Sequence, residues 1–278
     1  MDAAGIEGVT PGLGGALAAE AGQGRHRVRF GRPLGEGEPV PPEAYVVGVQ
    51  PWWELARWEE TLRDAPGLRS QLRRAERHGV RVEGHAGAEI AQRPLPRREL
   101  EQLVRGWLCA RGLPPLGFAA EVAPFRGLAH RRLFVARVDG RAVAAAFGRP
   151  LSGGKDWLLD VLARAPGAPN GTSEALVDAA FRALGRDGVH RATLGLCPLS
   201  GPVPPEYALV ARLSAPLYDF EGLYAFRARL RPHAWERVLL EHPGQSRTQG
   251  TVRALRAFAG GSLLRYGLRA LVHAASPR

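Results

Sequence analysis

The stretch Trp157–Leu199, WLLDVLARAPGAPNGTSEALVDAAFRALGRDGVHRATLGLCPL, decides the fold of this chain. Trp157–Val161 is apolar enough to predict a buried strand. Turn-forming residues follow at 168–172, where Asn and Thr side chains can accept hydrogen bonds from the free N–H groups of a helix start. Apolar residues then recur at helical spacing over Leu176–Leu184, and Ala192–Leu199 is again typical of a strand. The stretch therefore predicts a strand, a glycine-bearing turn, a helix and a second strand.

The turn in this stretch suggests a binding function. A glycine turn that leads into a helix leaves several N–H groups unpaired at the positive end of the helix dipole, which suits a phosphate or a carboxylate. The acyl-donor site of N-acyltransferases is organised in this way, so Asn170, Gly171 and Thr172 are predicted to bind the donor, and a side chain at position 171 is expected to block its close approach. The alternative is an ordinary βα turn without a ligand. The R/Q-x-x-G-x-G/A signature of an acetyl-coenzyme-A pocket is missing, which argues against acetyl-coenzyme A as the donor.

Composition places this 278-residue chain among globular proteins with one large domain or two small ones. It has no apolar run of about 18 residues, so no transmembrane helix is expected, and it has no secretory signal pattern. The two cysteines, Cys109 and Cys197, and the eight histidines lack metal-ligand spacing, so no metal is expected. These features predict a cytoplasmic protein.

The chain is strongly basic. Its formal net charge is +11, and nearly all of the positive charge is arginine, since Lys155 is the only lysine. Such a charge concentrates polyanions such as tRNA or anionic lipid near the protein. Both are therefore candidate partners, and binding to lipid would place the protein at the inner face of the membrane. The sequence does not indicate an oligomeric state.

The order of predicted elements indicates the fold class. Residues 25–97 predict a small unit, with helices over Trp52–Arg63 and Leu68–His78, and residues 98–245 predict a second unit with a hairpin around Asp139-Gly140. Helix, hairpin, strand, turn, helix and strand is the order of the GNAT acyltransferase fold. The prediction is therefore an α/β (α+β) protein with a tandem GNAT-like fold, built from two mixed-sheet repeats with flanking helices.

The two ends of the chain are predicted to lie outside these repeats. Residues 1–24 are rich in Gly and Ala and predict a disordered arm. Residues 246–278 predict a basic amphipathic helix. This helix would bind an anionic membrane or, alternatively, pack on the domain with its arginines solvated.

Two groups of polar residues are candidates for chemistry. Asp160 and Arg164 are predicted at the end of the central strand, before the turn, where the acid could hold the α-ammonium of an aminoacyl group and the arginine a phosphate or the terminal ribose of tRNA. The alternative is a surface ion pair. The segment Leu217–Leu223 is the other dense site, with Tyr218, Asp219 and Glu221, and its alternative is solvation of a strand edge.

Several segments resemble the phosphatidylglycerol lysyltransferase C-terminal domain family, the soluble transferase half of multiple peptide resistance factor type membrane proteins. They occur in the family's order and are LRSQLRRAERHGV (68–80), GRAVAAAFGRP (140–150), WLLDVLARAPGAPNGTSEALVDAAF (157–181), ATLGLCPLSG (192–201) and LYDFEGLYAFRARLRPHAWERVLL (217–240). The resemblance implies a tandem GNAT pair that moves an aminoacyl group from charged tRNA to a lipid headgroup, here as a stand-alone member.

The resemblance also assigns roles to individual residues. It implies that Asp160 and Arg164 lie near the aminoacyl group and the CCA end of the tRNA. It implies that Asn170–Thr172 and Tyr218–Gly222 line the same cleft. Two arginines of that cleft, Arg227 and Arg229, stand where the family usually has lysine, and the spacing from Asp160 to Arg164 is one residue longer than in the lysyltransferases.

The sequence thus leads to three hypotheses. The first is an aminoacyl-tRNA-dependent acyltransferase with no tightly bound cofactor, which acts on a lipid headgroup or another hydroxyl or amine acceptor. The second is an acyl-coenzyme-A-dependent N-acyltransferase that uses the same turn for the pyrophosphate. The third is a non-catalytic basic module that binds tRNA or membrane.

Overall fold

The computed structural model describes residues 10–11, 17–21, 28–34, 37–110, 125, 127–151, 154–213 and 219–241. Within them the chain forms eleven strands and seven α-helices. The strands are β1 (Thr10–Pro11), β2 (Leu17–Ala21), β3 (Val28–Leu34), β4 (Ala44–Glu54), β5 (Arg81–Ala86), β6 (Arg132–Val138), β7 (Arg141–Pro150), β8 (Asp156–Arg164), β9 (Arg191–Thr193), β10 (Cys197–Pro198) and β11 (Ala234–Glu241). The helices are α1 (Trp58–Asp64), α2 (Pro66–Arg77), α3 (Gly87–Gln92), α4 (Pro94–Cys109), α5 (Thr172–Arg186), α6 (Pro205–Leu213) and α7 (Phe220–Arg229).

The described strands form one mixed sheet in the order β1-β2-β3-β11-β4-β9-β8-β7-β6-β5, and β10 also pairs with β4. The pairing of β8 with β9 is parallel, whereas the other pairings are antiparallel. A parallel pair needs a crossover connection, and α5 supplies it. The centre of the sheet is therefore the stretch Trp157–Leu199 that the sequence singles out.

The structure confirms the predicted strand, turn, helix and strand, with one correction. Trp157 pairs with Ala192, so both strands lie in the same sheet. The second strand is shorter than predicted, because β9 ends at Thr193 and Gly195 takes a φ of +78°. The chain then pairs again only at β10, whose Cys197 lies opposite Val49 of β4.

Apolar side chains of β8 separate two cores. Leu159 packs with Trp53, Trp58 and Phe181 on the side that α5 covers, which is called the α5 face below. Val161 packs with residues of α4, such as Leu100, on the opposite side, called the α4 face. Both cores are buried, so the sheet is a shared layer between helices, as an α+β fold requires.

The two predicted repeats interleave in this sheet. Strand β5, from the first predicted repeat, pairs with β6 of the second. Strand β11, from the second predicted repeat, pairs with both β3 and β4 of the first. Each predicted unit therefore shares the sheet with strands of the other unit. The boundaries at residues 25–97 and 98–245 remain a prediction from the sequence.

Two further predictions can be compared with the structure. The hairpin at Asp139-Gly140 is confirmed, with φ of +49° and +78° at the two turn residues. The predicted helix Trp52–Arg63 begins later, at Trp58, because β4 continues to Glu54 through pairing with Ala192 and Arg191 of β9.

The predictions for the chain ends have different outcomes. The disordered arm over residues 1–24 is corrected at β1 and β2, since β2 pairs with β3 and so gains backbone hydrogen bonds. The predicted basic helix over residues 246–278 lies outside the described residues.

Candidate active site

Asp160 is the extra residue of a β-bulge in the central strand. Phe147 of β7 lies opposite Val161, whereas the next residue, Gly148, lies opposite Leu159, so Asp160 has no partner of its own. Gly148 suits this position because a Cβ there would come within 2.7 Å of the Leu159 side chain. A bulge breaks the alternation of side chains and redirects the extra one, and bulges are common beside active sites.

Two arginines hold the Asp160 carboxylate. Arg131, in the loop before β6, donates from Nη1 to both carboxylate oxygens at 2.8 Å. Nε of Arg149 in β7 lies 3.5 Å from Oδ2. These three side chains, called the Asp160 cluster, carry a net charge of +1. A carboxylate has about four acceptor positions, so Asp160 keeps capacity for a further donor, and the surplus positive charge suits a neighbouring anion.

Arg164 does not pair with Asp160. They lie four positions apart along the strand, which places their Cα atoms roughly 13 Å apart. The Arg164 guanidinium donates from Nη2 to the carbonyl oxygens of Ala168 at 2.5 Å and Pro169 at 3.4 Å. The structure thus places Arg164 as a support for the turn before α5, while Asp160 lies near the middle of the strand. The surface ion pair that the sequence offered as an alternative does not form either.

In the predicted donor-binding turn, hydrogen bonds within the turn already use donors that a ligand would need. The N–H and the Oγ1 of Thr172 both donate to the Pro169 carbonyl, at 3.3 and 2.6 Å. Gly171 has a φ of +88°, and a Cβ there would lie 2.1 Å from the carbonyl oxygen of Gln71 in α2. The close neighbour of Gly171 is therefore a helix of the protein itself. Asn170 is exposed, and Ser173 is among the first-turn residues whose N–H has no acceptor within the helix.

The residues predicted for the acceptor side of the cleft lie on or beside α7. Asp219 caps this helix, since its Oδ1 accepts from the Gly222 N–H at 2.6 Å. Arg227 donates from Nη1 and Nη2 to the carbonyl oxygens of Gly195 at 2.8 Å and Leu194 at 2.5 Å, and so ties α7 to the chain after β9. Glu221 and Arg229 are exposed, and Tyr218 lies outside the described residues. Asp219 and Arg227 therefore have structural contacts of their own.

Sequence reasoning missed an apolar floor beside the Asp160 cluster. It consists of the buried side chains of Trp52, Leu151 and Leu158, which pack together. Leu158 lies opposite Arg149 in the register of β7 and β8, so these two share the α4 face. The Asp160 cluster therefore borders this floor. In the sequence, the one indication of this arrangement was the charged Arg149 that follows an apolar run in the predicted strand.

A second charged group lies on the other side of the floor, and the sequence analysis missed it too. Arg191 of β9 donates to Asp156 of β8 at 2.6 and 3.3 Å and lies 3.6 Å from Oε1 of Glu236 in β11. Its guanidinium carbon stacks 4.4 Å from the centre of a Trp52 ring. Burial raises the pKa of Glu236, although Trp52 and Arg191 oppose this shift. The partners of Glu236 come from strands far apart in the chain, so no short motif reveals them.

An open groove of about 780 Å³ runs along the end of α5 and reaches this second group. Its lining includes Glu54 and Arg191 at one end and Glu59, Arg182 and Arg186 along the helix. Arg182 is paired with both Glu59 and Asp178. Arg191 therefore borders the groove on one side and the Trp52 floor on the other.

No helix in the described ranges has the length and apolar character needed to cross a bilayer. In the same part of the chain, no three residues among His, Cys, Asp and Glu are grouped so that they could hold a metal ion.

Comparisons with solved structures identify the fold. The C-terminal domain of a protein assigned as a lysylphosphatidylglycerol synthetase from Agrobacterium fabrum is 23% identical, with a TM-score of 0.63 over 79% of this chain and 68% of that chain. L-PGS from Bacillus licheniformis is 21% identical, with a TM-score of 0.62 over 82% of this chain and 68% of that chain. Together with the mixed sheet and its flanking helices, these neighbours confirm the predicted α+β fold class.

Comparison with protein families identifies the relationship. No curated protein matches the sequence significantly. The sequence model described as "Phosphatidylglycerol lysyltransferase, C-terminal" matches residues 55–240, which is more than half of the chain and includes both charged groups beside the floor. The chain therefore belongs to the family of phosphatidylglycerol lysyltransferase C-terminal domains, which supports a role as a transferase.

Proposed function

We propose that this protein is an aminoacyl-tRNA-dependent acyltransferase that moves an aminoacyl group to a lipid headgroup or to another hydroxyl or amine acceptor. The observation that carries the proposal is the position of Asp160, redirected by a bulge in the central strand and held by Arg131 and Arg149 beside an apolar floor. Membership of the family supports the same class of reaction.

In the proposed reaction, the acceptor oxygen or nitrogen attacks the ester carbonyl carbon of the aminoacyl group. The bond from that carbon to the ribose oxygen of the tRNA breaks, and the acceptor's proton is transferred to the ribose oxygen. The Asp160 cluster would orient the reactants, with the carboxylate accepting from a substrate hydroxyl or ammonium and the surplus arginine charge facing a terminal phosphate. Positioning of this kind supplies much of the rate in acyl transfer without a covalent enzyme intermediate.

A basic helix beside the donor turn supports tRNA as the donor. Gly171 packs against Gln71, so α2 runs alongside the start of α5. The exposed side of α2 carries Arg73, Arg74 and Arg77, which form no ion pair within the described residues. A run of unpaired arginines suits the phosphate backbone of RNA, and binding through it is expected to weaken as salt increases.

The direct test is a transfer assay with a mixed pool of aminoacyl-tRNAs, a total lipid extract and a set of amines, analysed by mass spectrometry. A parallel reaction contains acetyl-coenzyme A in place of the tRNA pool. We expect an aminoacylated product from the first reaction. A product formed only from acetyl-coenzyme A would contradict the proposed donor and favour the acyl-coenzyme-A hypothesis.

The role of Asp160 is tested by Asp160→Asn, with Asp139→Asn in the hairpin turn as the matched control. We expect Asp160→Asn to lower transfer about 100-fold or more, the scale of a misplaced reactant. Loss of its charge should cost about 1–3 kcal/mol of unfolding free energy, because the ion pairs are largely buried but Asn keeps an acceptor oxygen for Arg131. Asn also fits the turn at position 139, so the control should keep both activity and stability. Full activity in Asp160→Asn would remove this residue from the site.

A further inference from the structure

Strand β5 forms one end of the described sheet. It pairs with β6 on one side, and no other described strand lies on its far side. The strand at the opposite end, β1, has only two residues, one of which is Pro11. In contrast, β5 has six residues in unbroken register with β6, without a bulge or a proline. Many proteins shorten or distort such an edge, because a full-length edge strand can pair with a further strand.

The register of β5 determines which of its backbone groups point outward. Gly87, directly after the strand, donates its N–H to the Arg131 carbonyl at 2.8 Å, in continuation of the same register. Along an antiparallel ladder, pairs that are hydrogen-bonded alternate with pairs that are not. Every second residue before Gly87 therefore bonds to β6. The residues between them, Val82, Gly84 and Ala86, direct their N–H and C=O groups away from β6.

The side chains at these three positions leave the outward edge accessible. Gly84 and Ala86 are exposed, and Val82 is half-buried. Val82 packs against the core on the α5 face, and a Cβ at Gly84 would point at Phe134 of the same core. Side chains stand roughly perpendicular to a sheet. None of the three therefore covers the outward N–H and C=O groups.

The charges on the other face of β5 are complementary to those of a second copy. Glu83 and His85 lie on the α4 face, with Nε2 of the histidine 3.5 Å from Oε2 of the acid. The other charged neighbours are Arg137, 3.4 Å from Glu83, and Glu89, 4.0 Å from His85. In an antiparallel pair of identical strands centred on Gly84, Glu83 of each copy lies opposite His85 of the other. Such opposite pairs stabilise a sheet, whereas like charges in these positions destabilise it.

We propose that two copies of this chain pair through β5 as antiparallel strands, with a two-fold axis at Gly84. A two-fold interface requires a patch that is complementary to itself, and the outward edge of β5 meets this requirement. Gly84 would bond to Gly84 of the other copy, and Val82 of each copy to Ala86 of the other. These three hydrogen-bonded pairs, with two bonds each, would join the two sheets. Pairing of one short strand buries little surface, so the dimer is weak and depends on protein concentration.

The test is sedimentation velocity of the full chain over a wide range of protein concentrations. We expect the wild type to change from monomer to dimer as the concentration rises. Gly84→Pro removes an outward N–H and leaves the bonds to β6 intact, since proline is tolerated on edge strands, and it should stay monomeric. Gly84→Ala is the matched control. It keeps the N–H, and its Cβ would lie at an ordinary contact distance of 3.4 Å from Phe134, so it should dimerise as the wild type does.

A charge exchange tests the register without a change to the backbone. His85→Glu sets acid opposite acid on both sides of the axis and should weaken the dimer by about tenfold. Adding Glu83→His to this variant restores the opposite pairs, so the double variant should dimerise nearly as the wild type does. A wild type that is monomeric at every concentration would overturn the proposal. So would a dimer that His85→Glu leaves unchanged, or one that the double variant fails to recover.

Amide hydrogen exchange, followed by NMR, locates the interface directly. The N–H groups of Glu83 and His85 bond to β6 and should exchange slowly at every protein concentration. The N–H groups of Val82, Gly84 and Ala86 should exchange rapidly in the monomer and slow down as the dimer forms. A dimer in which these three groups still exchange rapidly would use another surface, and this result would overturn the assignment of β5.

Discussion

Replacing Gly171 by alanine should destabilise the fold strongly. The φ of +88° at this residue costs an ordinary side chain about 1–2 kcal/mol. The new Cβ would also lie 2.1 Å from the Gln71 carbonyl oxygen and 3.3 Å from the Ala75 Cβ, and overpacking of this kind costs about 1–3 kcal/mol. The clashing atom belongs to a helix backbone, so no rotamer change relieves it. The expected loss is about 2–5 kcal/mol of unfolding free energy.

The measurement is urea unfolding followed by circular dichroism, with Gly167→Ala as the matched control in the same turn. A Cβ at Gly167 would have no neighbour within 4 Å, and its φ is not positive, so this variant should lie within about 0.5 kcal/mol of the wild type. The sequence alone favours a loss of donor binding at Gly171 through a blocked ligand. Wild-type stability with impaired donor binding in Gly171→Ala would refute the packing argument and restore that interpretation.

Three further predictions concern single contacts. Asp219→Ala should cost about 1 kcal/mol in urea unfolding, because it removes the cap on the Gly222 N–H. Ellman's reagent should label Cys109, which is exposed, much faster than Cys197, whose thiol is buried and has a raised pKa, and equal rates would contradict this. Burial, followed by the charge of Arg57, lowers the pKa of His233. Its stabilising contribution is therefore present above about pH 6.5 and lost as pH falls through the lowered pKa, and His233→Asn should weaken this dependence in thermal unfolding.

The parts of the fold that the sequence predicted correctly depend on residues close together in the chain. Trp157–Val161, the turn and α5 follow one another, so apolar spacing and turn chemistry are enough to predict them. The Asp139-Gly140 hairpin is equally local, because its turn demands positive φ at both residues. The helix predicted from Trp52 failed for the opposite reason. Strand pairing with β11 at Trp52 and with β9 at Trp53 and Glu54 extends β4, and both partner strands lie far along the chain.

The candidate site depends on long-range pairing and could be predicted only in part. Asp160 was identified from its place on the central strand, but its bulge exists only in the register between β7 and β8. Arg131 lies 29 residues before the acid that it holds. The conformation of Gly171 follows from the turn, whereas its contact with α2 does not. Glu236 faces Gln50 across two strands from opposite ends of the chain, and no spacing rule connects them.

The two acids beside the floor, Asp160 and Glu236, differ in the hydrogen-bond and ion-pair partners that their carboxyl groups already have. This difference indicates different roles. Asp160 already accepts from Arg131 and lies near Arg149, so a substrate ammonium there would compete with two guanidinium groups. Glu236 has a buried oxygen that makes no standard hydrogen bond within the described residues, and the cation that it pairs with there is Arg191. A neutral hydroxyl, which brings no charge against the arginines, therefore suits Asp160 better than an ammonium does.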